Sequence, residues 1–208
     1  MLIRRTNKAV GPAIGRVACF LPLLVAWAPG CGDGPAGVDT SSQSDPAPRV
    51  AKINPASFYE AAANGQTDLV RRAIEQGADV NESGTDGRTA LMLAAYEGHT
   101  GTVKALLEHD ARIDERDATR RTALIYSASG PHAETVRVLL EAGADVNVVD
   151  NVESWTALMF AAAEGHVDVV RVLLKHQADT SLRDKDGDTA GDFAAQNGHH
   201  DVVGLLGE

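Results

Sequence analysis

A motif of 33 or 34 residues is repeated along this chain, and no other feature constrains its fold as strongly. The four clearest copies open with threonines that lie 33, 34 and 33 residues apart, namely Thr89, Thr122, Thr156 and Thr189. A histidine follows each threonine by ten residues. Self-similarity at this period indicates a stack of equivalent supersecondary units, in which each unit contacts only its neighbours.

Each copy contains two short apolar stretches whose spacing predicts helices. In the third of these copies the stretches are 157–163 and 167–174. The second stretch has apolar residues at positions i, i+3 and i+4, as at Val170, Leu173 and Leu174, so these side chains share one helical face. Isolated helices of roughly two to three turns are marginal in water. The helix pairs must therefore stack to build a shared core.

Further residues recur at the same offsets and complete a pattern. One copy reads Asp86-Gly87-Arg88-Thr89-Ala90-Leu91, then Glu97-Gly98-His99, then Leu106-Leu107. The closing segment is clearest at 77–81 and 143–147, which both read Gly-Ala-Asp-Val-Asn. Over about three quarters of the chain, this pattern resembles the ankyrin repeat.

The resemblance implies an all-α fold, an ankyrin-repeat solenoid of about five helix-turn-helix units joined by β-hairpin loops. The repeat domain is then 51–208, with units at approximately 54–86, 87–119, 120–153, 154–186 and 187–208. The first and last units depart from the pattern, as terminal units of a solenoid commonly do. We expect them to act as caps of a monomeric repeat domain.

Two elements of the unit lead to specific expectations about the backbone. Each opening threonine is predicted to be the N-cap of the first helix, where its hydroxyl accepts a hydrogen bond from a free backbone N–H. A glycine in the left-handed region closes the second helix at Gly77 and Gly143, whereas Asp110 and Gln177 occupy the equivalent positions. A positive φ at these two residues costs about 1 kcal/mol each.

The N-terminal segment has the features of an export signal. Basic residues precede an apolar stretch at 17–28, which is too short to span a bilayer. The signal peptide is predicted at 1–30, and Gly30-Cys31 resembles a bacterial lipoprotein lipobox, so Cys31 is the predicted lipidation site. A signal cleaved at 28–30 without lipidation, or an uncleaved anchor, stays open. Gly, Pro and Ser dominate 32–49, which predicts a flexible linker within 31–50.

The net charge and the positions of the cysteines argue against several kinds of partner and site. From Ala51 onward, 14 Lys and Arg residues face 26 Asp and Glu residues, a net charge of −12 that repels nucleic acid and anionic membrane. We therefore expect no nucleic-acid partner, and membrane association only through the N-terminal lipid anchor. Both cysteines, Cys19 and Cys31, precede the repeats, so the repeats have no disulfide or thiolate metal site.

No residue pattern points to catalysis. The histidines recur once per unit, so stacked units separate them by roughly 10 Å, which is too far to share one ion. A weak metal site at His199-His200 is the less favoured alternative. The acidic residues Asp184, Asp186 and Asp188 begin like a calcium loop, but Ala195 stands where the closing glutamate is needed. We predict neither an enzyme nor a bound cofactor.

What remains is a surface for a protein partner. In ankyrin repeats the hairpin tips and the exposed side of the first helices commonly form a concave binding face, and the resemblance transfers that role by position. The predicted partner-binding residues are Arg88, Tyr96, Glu97, Arg120, Arg121, Ser129, Trp155, Glu164, Asp188, Gln196 and Asn197.

Trp155 and a basic loop are the strongest candidates for partner contacts on this face. Trp155 follows a one-residue insertion at 150–154, and an exposed Trp beside Arg121 would suit an interface hot spot. Alternatively, its ring folds back over Val152 or the neighbouring hairpin. The basic loop of Arg112, Arg116, Arg120 and Arg121 either docks an acidic partner or balances the acidic residues around it.

These observations favour a non-catalytic protein–protein interaction module, a scaffold or adaptor of the cell envelope. The predicted location is the periplasm or, as a lipoprotein, the membrane of a bacterial cell envelope. An inhibitor or immunity-type regulator of an enzyme or toxin is the alternative. A metal-dependent hydrolase is the least favoured hypothesis.

Overall fold

The computed structural model describes residues 55–207. The chain divides into two units, Met1–Val50 and Ala51–Glu208, and all described residues belong to the second. The predicted signal peptide at 1–30, the lipidation site Cys31 and the linker at 31–50 therefore lie outside the described residues. Among the described residues, no helix has the length and apolarity that a membrane crossing requires.

Ten helices form the described part of the chain, and they follow one another as five pairs. In order they are α1 (Pro55–Ala63), α2 (Thr67–Glu75), α3 (Ala90–Tyr96), α4 (Thr100–Glu108), α5 (Ala123–Ala128), α6 (Ala133–Glu141), α7 (Ala157–Ala163), α8 (Val167–Lys175), α9 (Ala190–Gln196) and α10 (His200–Leu206). The predicted all-α repeat fold is confirmed.

The helices stack in two rows. The odd-numbered helices pack on one another in sequence, the even-numbered helices do the same, and the two helices of each pair also contact each other. Aliphatic side chains from both rows fill the space between them. The fully buried leucines are Leu91, Leu106, Leu124, Leu139, Leu158 and Leu173. Small alanines, such as Ala94 and Ala161, are also fully buried and let successive first helices approach closely.

Threonines fix the start of four first helices, as predicted. The hydroxyl oxygen of Thr89 accepts a hydrogen bond from the backbone N–H of Met92, at 3.4 Å. Thr122, Thr156 and Thr189 cap their helices through the same third residue. In the last unit, the Asp192 carboxylate also accepts from the Thr189 N–H, at 2.9 Å, which satisfies a second free donor at the helix start.

The turn between the two helices of a pair joins one unit to the next. Gly98 has φ +72°, and a Cβ at this position would lie 2.2 Å from Nδ1 of His132 in the next unit, so only glycine fits. Nε2 of His99 donates to the Ala63 carbonyl oxygen, at 3.0 Å, and Nε2 of His199 donates to that of Ala163 at the same distance. These histidines bind the preceding unit, which accounts for their strict recurrence.

Hairpins connect the pairs, although the described residues contain no extended strand. Antiparallel bridges join Ser83 to Thr89 and Val149 to Thr156, and both are isolated. The predicted β-hairpin loops are thus tight turns with at most a single bridge. The predicted strain after the second helices is present, since Asp110 has φ 63° and Gln177 has φ 64°.

Candidate functional site

Three of the hairpins share one internal arrangement around an aspartate, namely Asp117, Asp150 or Asp184. Oδ1 of Asp117 accepts hydrogen bonds from the backbone N–H groups of Thr119, at 2.8 Å, and Arg121, at 2.9 Å. Oδ1 of Asp184 accepts from two N–H groups of its own turn in the same way. One carboxylate oxygen thus holds the turn closed, which leaves Oδ2 for a contact outside it. The first aspartate of the calcium-like spacing is thus used within its own turn.

In the hairpin at 117–121, a tyrosine fills the outer position of the aspartate. The Tyr126 hydroxyl donates to Oδ2 of Asp117, at 2.5 Å, and accepts a hydrogen bond from Nε of Arg88 in the preceding hairpin, at 3.1 Å. Burial and the hydrogen bond to Asp117 raise the pKa of Tyr126 to about 12. Burial alone would raise the pKa of Asp117, but hydrogen bonds from Tyr126, Thr119 and Arg121 outweigh it and lower the pKa.

In the next hairpin, an arginine contacts the aspartate directly. Nε and Nη2 of Arg121 donate to Oδ2 of Asp150, at 3.1 and 3.0 Å. The Asp150 side chain is 1% exposed and that of Arg121 is 16% exposed. Cζ of Arg121 also lies 4.9 Å from the ring centroid of Phe160. A buried carboxylate is thus neutralised by a cation that stacks on an aromatic ring.

In the following hairpin, Trp155 takes the same position. Its ring centroid lies 4.9 Å from that of Phe160 and 4.5 Å from that of Phe193. Its Nε1–H donates to Oδ2 of Asp184, at 3.3 Å. Trp155 is half-buried between two units. The structure therefore favours the alternative in which this ring folds onto the neighbouring hairpin.

The geometry is that of a repeated unit, and comparison with known families agrees. The family model described as ankyrin repeats in three copies matches residues 58–150 and 146–208, more than half of the 208-residue chain. The chain belongs to the ankyrin-repeat family. A comparison with curated proteins finds no significant match. Ankyrin repeats indicate a protein–protein interaction module and are typically non-catalytic.

Within this ankyrin-repeat surface, exposure divides the predicted partner-binding residues into two groups. The exposed ones are Arg88, Glu97, Arg120, Glu164 and Gln196. The half-buried ones are Tyr96, Arg121, Ser129, Trp155, Asp188 and Asn197. Most of the half-buried side chains have contacts that the stack itself needs. Among the exposed residues, Arg88 is hydrogen-bonded to Tyr126 of the next unit. Glu97, Arg120, Glu164 and Gln196 are therefore the part of this surface that a partner can reach without disturbing the fold.

Three half-buried residues near the ends of the first helices illustrate this point. The Tyr96 ring meets the edge of Tyr126, with centroids 6.0 Å apart. Ser129 Oγ donates to the Tyr126 carbonyl oxygen, at 2.7 Å. Asn197 Nδ2 donates to the Ala163 carbonyl oxygen, at 2.8 Å. Each contact fixes a helix end within or between units.

The basic loop is partly neutralised in the structure. Arg112 pairs with Glu115 at 3.6 Å, and Arg121 pairs with Asp150. Arg116 and Arg120 are exposed, and neither forms an ion pair within residues 55–207. Arg120 has φ 60°, at the turn position that Gly87 also occupies with a positive φ. The two alternatives for this loop therefore apply to different arginines.

The aromatic partners of the hairpin residues are missing from the sequence-based set. Tyr126, Phe160 and Phe193 each stand four residues after a capping threonine, and each packs against the residue that precedes the threonine of the unit before. Their common offset was a signal available in the sequence. In the described part of the chain, no three His, Cys, Asp or Glu side chains are grouped so that they could hold a metal ion.

Proposed function

We propose that this protein is a non-catalytic scaffold or adaptor of the bacterial cell envelope, and that it binds a protein partner through the hairpin tips and the ends of the first helices. The supporting observation is a set of exposed side chains that the fold does not use. The side chains of Arg120, Glu164 and Gln196 are exposed and form no hydrogen bond or ion pair with any described residue. Charged rim residues of this kind steer a partner and select it by complementary charge.

A paired set of variants tests the binding face. The face variant combines Arg120→Glu with Glu164→Lys, and the control combines Arg171→Glu with Glu75→Lys on exposed positions of second helices. Both leave the net charge unchanged. The tagged full chain is produced in its own host, and captured proteins are identified by mass spectrometry. We expect one partner to be lost with the face variant and retained with the control; equal capture by both would refute this face.

The same captured partner distinguishes a scaffold from an inhibitor. If the partner is an enzyme or toxin, its activity is measured with the wild-type chain and with the face variant. Inhibition by the wild type alone would assign the protein to the inhibitor or immunity class. If the wild-type chain binds the partner and leaves the partner's activity unchanged, the result supports the scaffold.

The proposed envelope location rests on the N-terminal sequence. We propose export by the signal at 1–30 and lipidation of Cys31. Cys19, which lies within the same signal, provides a matched control. Cys31→Ser should move the protein from the membrane fraction to the soluble fraction and abolish incorporation of a labelled fatty acid, whereas Cys19→Ser should change neither. Equal fatty-acid labelling of wild type and Cys31→Ser would rule out this anchor.

A further inference from the structure

The hydrogen bonds between successive hairpin tips identify which residue was inserted in the hairpin at 150–154. In the preceding hairpin, the Ala118 N–H donates to the Asp86 backbone carbonyl oxygen of the hairpin before it, at 3.1 Å. The carbonyl oxygen of the adjacent residue, Thr119, accepts from the Asn151 N–H of the hairpin after it, at 3.0 Å. In the inserted hairpin, Asn151 faces the preceding tip, whereas the Glu153 carbonyl accepts from the next one. One residue therefore stands between the two contacts. That residue is Val152.

The backbone around Val152 is held in place although the residue is extra to the repeat. Lys185 Nζ donates to the Asn151 carbonyl oxygen, at 3.1 Å, and also to that of Val152. The Lys185 N–H donates to the Glu153 carbonyl oxygen, at 3.0 Å. Val152 as a residue is nevertheless 37% exposed. The insertion thus presents an apolar side chain on a fixed backbone.

A second exposed valine lies in the same hairpin. Val149 is 38% exposed, and Val149 and Val152 are the exposed large hydrophobic residues of the described chain. The four hairpins can be aligned on one shared hydrogen bond, in which a backbone N–H donates to the carbonyl oxygen of the residue that precedes the capping threonine. The donors are Gly84, Asp117, Asp150 and Asp184. The residues before these four are Ser83, Arg116, Val149 and Arg183. The repeat therefore needs no apolar side chain at this position.

The neighbours of Val149 in this register are cationic. Arg116 and Arg183 are exposed, Arg116 forms no ion pair within the described residues, and Nη1 of Arg183 donates to the Gly187 carbonyl oxygen at 2.6 Å. Cations on both sides of an exposed valine are unusual in a domain with a net charge of −12. We refer to Arg116, Val149, Val152 and Arg183 as the Val149 edge.

We propose that the Val149 edge docks a protein segment in which an apolar side chain is flanked by carboxylates. This proposal rests on the proposed protein-binding function and specifies its partner chemistry. Covering the two valines removes apolar surface from water, while the two arginines favour an acidic segment and disfavour a basic one. Glu164 and Gln196 lie at the ends of first helices and belong to no hairpin, so variants at those two residues can be compared with variants of this edge.

Selection of random peptides displayed on phage tests this chemistry. The peptides are selected on the detergent-purified full chain, and their dissociation constants are measured by fluorescence anisotropy. We expect enriched peptides to place an apolar residue between Asp or Glu residues, and their affinity to fall with salt. Val149→Ser with Val152→Ser should weaken them about tenfold. Arg116→Ala with Arg183→Ala should weaken them and reduce the salt dependence.

Several outcomes would overturn the proposal. They are an absence of enriched peptides, enriched peptides without the acidic–apolar pattern, and binding that survives the valine substitutions. If binding survives the valine substitutions and is instead lost with Glu164→Lys, which lies at the end of a first helix outside the edge, the proposed function stands and the Val149 edge does not. A dimer in sedimentation equilibrium that Val152→Ser dissociates would make a second copy the occupant. Because Val152 is the inserted residue, Val152→Ser alone serves if the double variant fails to fold.

Discussion

Arg121 and Trp155 occupy the same position in successive hairpins and reach the next unit by different chemistry. Arg121 pairs with the buried Asp150 and stacks on Phe160, as a cation beside a carboxylate and a ring. Trp155 packs between Phe160 and Phe193 and donates one hydrogen bond from its ring nitrogen. Both contacts end on the Oδ2 atom of a hairpin aspartate.

The comparison shows that this position requires a contact rather than a residue type. A long side chain that carries an N–H donor and a flat face satisfies the aspartate and covers the aromatic ring in either case. A change from Arg to Trp is therefore compatible with a purely structural role. By contrast, Val149 replaces polar residues without gaining burial, so it is the difference in this region that packing leaves unexplained.

Removal of the arginine should have the largest effect. Arg121→Ala leaves the Asp150 carboxylate buried without its cation, which should lower the free energy of unfolding by about 3 kcal/mol. Urea denaturation followed by circular dichroism measures this loss. Arg116→Ala is the matched control, since Arg116 is exposed and should change stability by less than about 0.5 kcal/mol. Equal small losses in both variants would show that the buried pair contributes no more than a surface charge.

Removal of the indole should have a somewhat smaller effect. Trp155→Ala takes the ring away from Phe160 and Phe193 and should lower the free energy of unfolding by about 2 kcal/mol, because the side chain is only half-buried. Trp155→Phe keeps the ring packing but loses the hydrogen bond to Asp184, for a loss of about 1 kcal/mol. A stable Trp155→Ala protein would indicate that the ring is free to serve a partner.

The hydrogen bond between the Tyr126 hydroxyl and the Asp117 carboxylate should respond to pH. The folded pKa of Asp117 is lower than its unfolded pKa, so its contribution is fully present above the unfolded pKa of about 3.9 and is lost as pH falls through the folded pKa. Asp117→Asn should cost about 1–2 kcal/mol at pH 7. Urea denaturation between pH 7 and pH 3 should show this difference shrinking at the acidic end. A difference that grows on acidification would contradict the pKa direction.

The smallest effect should be a gain. Gln177 has φ 64° at a position where two other units have Gly77 and Gly143, so Gln177→Gly should relieve backbone strain and stabilise the fold by about 0.5 kcal/mol. Asp110→Gly should gain less, because Asp tolerates the left-handed region better than Gln. Both are measured as shifts of the urea midpoint. A loss for Gln177→Gly would mean that its side chain contributes a contact larger than the strain.

The repeat and the threonine N-caps of its first helices could be predicted because they depend on local sequence. Threonine capping involves a residue three positions away, and the helix faces follow from a period of 3.6 residues. The direction of Trp155 could not be read in this way, since its partner Asp184 is 29 residues away in the next unit. Neither could the exact inserted residue, because Val152 is identified only by hydrogen bonds to the hairpins on both sides of it.

The sequence by itself determined the unit, its length, its order of helices and its membership of the ankyrin-repeat family, because those properties repeat within each copy. Only the tertiary structure decided which surface residues are already used. Arg121 and Trp155 have contacts in the next unit, whereas Glu164 and Val152 remain exposed. The physical reason is that stacking buries whatever one unit presents to the next, and a repeating pattern does not reveal where a side chain points once its neighbour is in place.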